Sequence, residues 1–167
     1  VDNELEVTGP PDKVLEFKEK AKGQRHYDDA EELLSADAII PYPEQFRELD
    51  RIAQEYEQAH PDDDWQGRPK DGFNKGGYEW CIRNWGTKWG FCHPTIVEVS
   101  PGRILYAFDT AWSPPMPLIH KMGEMFPDLT FELNYWEGGM GFQGNLTIQN
   151  GDVVDENKKE YSGDRGG

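Results

Sequence analysis

The sequence predicts an α+β domain, with an antiparallel sheet, two helices on one of its faces, and an acidic, mostly helical insertion. Three observations carry this expectation. Apolar residues alternate with the two-residue period of a strand in Asn3–Thr8, 129–135 and 140–148, and recur at helical spacing in 12–22 and 116–126. Acidic residues crowd into one segment, 26–64, which holds 13 Asp and Glu against two Arg, so it carries −11 of the chain's net −15.

Taken in order, Asn3–Thr8 reads as a half-buried strand with Leu5 and Val7 inward, ended by Gly9-Pro10-Pro11. Asp12–Lys22 is rich in helix formers, with Val14, Phe17 and Ala21 on one face and Gly23 as the stop. From Gln24 to Asn74 the apolar signal thins. Leu33, Leu34, Ala38, Ile39 and Ile40 suit a short helix or loop, which Pro41-Tyr42-Pro43 breaks. Glu44–His60 reads as a helix with a narrow stripe of Phe46, Leu49, Ile52, Ala53 and Tyr56, and Pro61-Asp62-Asp63-Asp64 ends it. Glu79–Asn84 suits a short helix. Thr95–Ser100 and Arg103–Thr110 are strand-like, joined by Pro101-Gly102 in a hairpin.

The second half repeats the logic. Met116–Phe126 is a helix with Leu118, Ile119, Met122, Met125 and Phe126 inward and Ser113 as its cap. Leu129, Phe131, Leu133 and Tyr135 form one strand. Glu137-Gly138-Gly139 turns the chain into Met140, Phe142, Gly144, Leu146 and Ile148. The order β, α, insertion, ββ, α, β, β matches a ferredoxin-like sandwich with an added final strand. One domain is expected over 1–155, with the insertion at about 24–77 and a flexible tail over 156–167.

Trp80–Trp112 holds four of the six tryptophans, and large aromatics bury the most apolar area, so the core is expected to be built there. Composition then narrows the function. A charge of −15 repels phosphate backbones and anionic membranes and attracts basic protein surfaces, so direct nucleic-acid binding and membrane association are not expected. Two cysteines, Cys81 and Cys92, make no disulfide framework or CxxC pair. No apolar run reaches the length of a membrane span, so a soluble, cytoplasmic protein of a bacterial host is expected. The first residue is Val1 rather than Met, and residues upstream of it are expected.

Several stretches are familiar together: Asn3–Lys22, Ile40-Pro41-Tyr42-Pro43-Glu44, Asn84-Trp85-Gly86-Thr87-Lys88-Trp89, Thr110-Ala111-Trp112-Ser113-Pro114-Pro115, and Phe126-Pro127 through Phe142-Gln143-Gly144. They resemble a family of phage- and plasmid-borne proteins whose C-terminal half is described as a YubB-type ferredoxin-like domain. The resemblance spans most of the chain except the acidic segment and the tail. It implies the fold and a mobile-element origin, and no catalytic residue.

Candidate sites compete with plainer readings. Trp85, Trp89 and Trp112, with Lys88 and Arg83 as local positive charge, could line a ligand pocket for a base or a cation; equally, the tryptophans fill the core. Cys81, Cys92 and His93 lack the paired spacing of a zinc site, and the Asp62–Asp64 run lacks the alternation and glycine of a calcium loop, so no metal or cofactor is expected. His26, His60 and His120 are isolated and read as surface or satisfied core. Gly138-Gly139-Met140-Gly141 lies between strands and is a turn, not a phosphate cradle. Ser113 lacks the context of a nucleophile elbow. On the sheet's open face, where related RNA binders place aromatics, the register puts Glu4, Glu6, Thr130, Glu132 and Asn134, which disfavours RNA.

With no acid/base pair or nucleophile in view, a non-enzymatic binding protein is expected. Its partner surface comprises Asp28, Asp29, Glu31, Glu32, Glu44, Glu48, Asp50, Glu55, Glu57, Asp62, Asp63 and Asp64. Charge runs are also often mere solvated faces. Read functionally, those carboxylates imitate a phosphate strand and block the basic groove of a bacterial defence complex, as an anti-CRISPR or anti-restriction inhibitor would. The alternative is a small-ligand or nucleotide-binding domain, possibly an enzyme, using the tryptophan pocket.

Overall fold

The computed structural model describes residues 1–62 and 67–163, arranged around a six-stranded antiparallel sheet of order β4-β5-β1-β6-β7-β8. β1 (Asp2–Thr8) lies at its middle, with β5 (Arg103–Asp109) on one side and β6 (Thr130–Glu137) on the other. β4 (Cys92–Ser100) forms one edge, and β7 (Phe142–Gln149) leads to β8 (Asp152–Glu160) at the other. The four strands β4-β5-β1-β6 have the ferredoxin-like order, and two strands, not one, are added beyond it.

Alternation decides which face is covered. Leu5 and Val7, Ile104 and Tyr106, and Phe131 and Leu133 are all fully buried and sit in register on one face. The same register puts Glu4, Glu6, Thr130, Glu132 and Asn134 on the open face, as expected. Arg103 there bridges Glu6 at 2.9 Å and Glu98. Two helices cover the apolar face. α1 (Pro11–Lys20) starts on Pro11, which suits a first-turn position, and buries Val14 and Phe17. Phe17 meets Tyr106, Phe126 and Phe131 edge-on at centroid distances of 5.2–6.1 Å.

α5 (Met116–Met125) buries Leu118, Ile119 and Met122, and comes so close to β7 that a Cβ on Gly123 would stand 2.5 Å from Ile148 Cγ2. The β4–β5 hairpin turns at Gly102, whose φ of +77° is open to glycine and strained for other residues.

Between α1 and β4 the insertion builds β2 (Gly23–Gln24) paired with β3 (Glu31–Glu32), then α2 (Ala36–Ile39), α3 (Glu44–Ala59), a 3-10 turn at Phe73–Lys75, and α4 (Gly77–Asn84). It shares one apolar core with the sheet. Trp85 is fully buried at its centre, its indole N–H donating to the Ile40 carbonyl at 2.9 Å, and Phe91 meets Phe108 of β5 at 4.7 Å.

Five local expectations are corrected. Gly23 is not a helix stop but part of β2, because Ala21 already caps α1 through its bond to the Phe17 carbonyl. Ser113 does not cap α5; its hydroxyl donates to the Gly86 carbonyl. Ile52 and Met125 are 39% exposed and Met140 70% exposed, so none of the three docks. The tryptophan window contributes Trp85 to the core, with Trp80 partly buried against it, while Trp89 and Trp112 are 37% and 54% exposed. Residues 156–160 are not a tail but most of β8, ladder-bonded to β7.

Candidate functional site

The insertion's small hairpin sets the site. Four bonds tie its turn: Arg25 N–H to the Ala30 carbonyl at 2.8 Å, Asp29 N–H to the Arg25 carbonyl, Ala30 N–H to Asp28 Oδ1, and Arg25 to the Asp28 carboxylate. Asp29 holds a positive φ of 58°, a conformation that Asp tolerates better than most residues. The turn carries His26 and Tyr27. Opposite it stand Asp50 and Gln54 of α3, with Arg68, Asp71 and Phe73. Ser35, Ala36, Asp37 and the run Trp89 to His93 complete the lining. The cleft, open to solvent on one side, measures about 520 Å³, within the usual range for small-molecule sites.

Most polar groups around it are already committed. Asp50 accepts from the Tyr42 hydroxyl at 3.1 Å and from Phe73 N–H at 3.1 Å. Asp37 takes Arg47 at 2.6 Å and Tyr42 N–H at 2.7 Å. Asp71 caps Asn74. Arg25 spends its guanidinium on Asp28, and Arg68 pairs with Glu57 at 3.3 Å.

Two are not. The His26 ring is 7% exposed and set edge-on to Tyr27, Tyr42 and Trp85, and its nitrogens have no hydrogen-bond partner among the described residues. Burial lowers its pKa to about 4, so it is neutral at pH 7. The Glu32 side chain is 10% exposed and has no hydrogen-bond partner among the described residues; its nearest cation, Arg25 Nε, is 3.9 Å away. Burial raises its pKa to about 7, partly opposed by Arg25.

Neither thiol is primed as a nucleophile. Cys81 lies in the core with its pKa pushed up to about 12. Cys92, in the cavity lining, is also raised by burial, although Trp89 Nε1–H points at its sulfur from 3.1 Å. Among the described residues no three His, Cys, Asp or Glu side chains gather as a metal-holding group.

The acidic surface is less bare than the sequence implied. Arg51 sits between Glu48 and Glu55 one helical turn either side, Arg47 reaches Asp29, Asp37 and Glu44, and Arg25 neutralises Asp28. Two members of the expected partner surface are corrected outright. Asp50 is 7% exposed and bonded inside the fold, and Glu32 faces the cavity. Glu31, Glu44, Glu57 and Asp62 are exposed, while Asp63 and Asp64 lie outside the described residues.

The expected tryptophan pocket is corrected too. Trp85 is sealed in the core, Arg83 is exposed and does not line this cavity, and of the five Trp89 reaches the site. Lys88 Nζ lies 4.7 Å from the Trp89 ring and 4.6 Å from that of Trp112, so the two tryptophans clamp a cation of this chain's own.

Residues 64–165 match the family model described as the ferredoxin-like domain in Api92-like protein. The chain belongs to that family. The crystal structure of a protein Api92 from Yersinia pseudotuberculosis superposes with a TM-score of 0.60 over 97% of each chain, at 13% identity. Likeness at that identity speaks for the fold alone. No curated protein matches the chain. The family segment begins after α3, so Trp89, Phe91 and Cys92 lie within it while His26 and Glu32 precede it.

Sequence reasoning missed the cavity. Its key groups, His26 and Glu32, stand six residues apart on a polar hairpin with no motif around them. The ion pairs of α3, by contrast, follow from local spacing alone, with Glu48, Arg51 and Glu55 at i,i+3 and i,i+4.

Proposed function

We propose that this chain is a ligand-binding ferredoxin-like protein whose site is the insertion's cavity at Trp89, rather than a pocket among the tryptophans themselves. The observation that carries the reading is the pair of buried side chains, His26 and Glu32, that line a cavity of about 520 Å³ without hydrogen bonds among the described residues. A ligand that enters the cavity can supply the hydrogen bonds that these side chains do not find within the protein. Such a site can bind, and the proton on Glu32 near neutral pH gives it acid/base capacity, but no activated nucleophile accompanies it. A thermal-shift screen of the full chain against nucleotides, cyclic dinucleotides and organic amines tests this. A saturable rise in Tm that Trp89→Ala diminishes supports the site; no shift with any compound overturns it.

A second reading keeps the chain as a phage- or plasmid-borne inhibitor of a bacterial defence complex, with a YubB-type domain and an acidic surface that imitates nucleic acid. Its support is the exposed run of Glu44, Glu48 and Glu55 on α3, with Glu44 81% and Glu55 62% exposed. Against it stand the arginines that partly neutralise that run. A pull-down from bacterial lysate at low and high salt separates the readings, since a surface of this kind retains a basic partner only at low salt. Lysine at 44, 48 and 55 should abolish that retention.

A further inference from the structure

We infer that the cavity takes a flat organic cation bearing several N–H donors, of the guanidinium or amidinium class, with Glu32 as its counter-ion and His26 as a second acceptor. This rests on the reading that the cavity is a ligand site, and it adds the chemistry of the ligand.

The groups that line the cavity favour a cation over an anion. Four carboxyl groups face it, Glu32, Asp37, Asp50 and Asp71, against two guanidinium groups. Arg25 is held by Asp28 and Arg68 by Glu57, so the positive charge of the walls is directed at the protein's own carboxylates. An anion entering here would meet carboxylates in excess.

Asp37, Asp50 and Asp71 are likewise occupied by the hydrogen bonds described above. Of the four carboxyl groups Glu32 remains, beside the shielded His26 imidazole, and a neutral imidazole still has one nitrogen to accept with. Glu32 calls for donors, and His26 accepts one and offers one N–H. The walls add shape: Tyr27, Phe73, Trp89 and Phe91 are aromatic, and planar cations stack on such faces better than tetrahedral ammonium does. A cation beside Glu32 also favours its ionised form, so binding near pH 7 releases a proton.

The test compares benzamidine with benzamide, near-isosteres that differ in charge, and adds agmatine and AMP, all against the full chain by thermal shift and calorimetry. Benzamidine and agmatine should raise Tm saturably and benzamide should not. Calorimetry in two buffers of different ionisation enthalpy should show proton release. Glu32→Gln should weaken benzamidine by about tenfold or more, the worth of one charge-assisted hydrogen bond, while Glu31→Gln on the exposed side of the same strand leaves it unchanged.

If benzamide or AMP stabilises the chain as well as benzamidine does, the cation assignment falls and the cavity stands as a ligand site of other chemistry. If none of the four binds but the wider screen finds a ligand, only the cation assignment falls. If neither finds one, both fall. The benzamidine–benzamide comparison needs no variant, so a folding defect in Glu32→Gln cannot mask the result.

Discussion

The core beneath α1 and α5 and the core of the insertion are continuous, yet they treat polarity in opposite ways. Under α1 and α5 the contacts are almost all carbon on carbon, with Phe17 as hub against Tyr106, Phe126 and Phe131. In the insertion, His26 and Asp50 are buried among the aromatic rings and Glu32 lies nearly as deep. The first region is arranged for stability. The second gives up some stability to hold groups that want a partner, which is the usual mark of a site rather than of a scaffold.

Breaking the apolar region should cost most. Phe17→Ala removes a fully buried ring from three aromatic neighbours and should destabilise the chain by about 3–5 kcal/mol in denaturant unfolding. The polar region should respond in the other direction. Glu32 has a folded pKa near 7 against an ordinary 4.5, so its burial is harmless below pH 4.5 and penalises the fold increasingly as pH rises through 7. His26 has a folded pKa near 4 against 6.5, so its penalty is absent above pH 6.5 and grows as pH falls toward 4.

Between pH 4.5 and 6.5 the two slopes oppose each other, and their sum should be nearly flat. Glu32→Gln should therefore match the parent near pH 4 and exceed it at pH 8 by on the order of 1–3 kcal/mol, read from urea midpoints across pH. A parent and variant that remain parallel across the whole range would mean that Glu32 is not buried in solution.

Smaller effects sharpen the contrast. Gly123→Ala adds a methyl 2.5 Å from Ile148 and should cost about 1–2 kcal/mol despite alanine's better helix propensity, because α5 cannot move away without uncovering β7. Tyr42→Phe deletes the bond to Asp50 and should cost about 1 kcal/mol, with the loss falling on the insertion and measurable by hydrogen exchange at Phe73. Arg51→Ala breaks two exposed ion pairs on α3 and should leave Tm unchanged within error, since solvent screens both.

Expectation and structure part company along the same division. β1 and β6, which bury one face, announced themselves by alternation, because each inward position must be apolar and each outward one need not be. β8 did not. Asp-Val-Val-Asp-Glu-Asn-Lys-Lys-Glu is exposed on both sides, so nothing in it required a two-residue period, and its strand state comes from the ladder offered by β7. Met140 continued an alternating run in sequence, yet it stands in the turn before Phe142 where the face it would bury ends.

The tryptophans divide by the same logic. Four of them in one window promised a core, but a ring's fate depends on what faces it: Trp85 is fully buried against His26, Tyr42 and Trp80. Trp89 and Trp112 face outward around Lys88.

By itself the sequence determined the ferredoxin-like order of elements, the covered and open faces of the sheet, and the placing of excess negative charge in one insertion. All three follow from the period and composition of contiguous residues, which act over one or two turns or along one strand. Tertiary structure alone decided that Asp50 and Glu32 leave the acidic surface and that His26 is buried without a hydrogen bond among the described residues. It also formed a cleft between a hairpin, a helix and the start of a strand. Those outcomes depend on desolvation, which is set by what the rest of the chain places around a side chain and leaves no local trace in its neighbours.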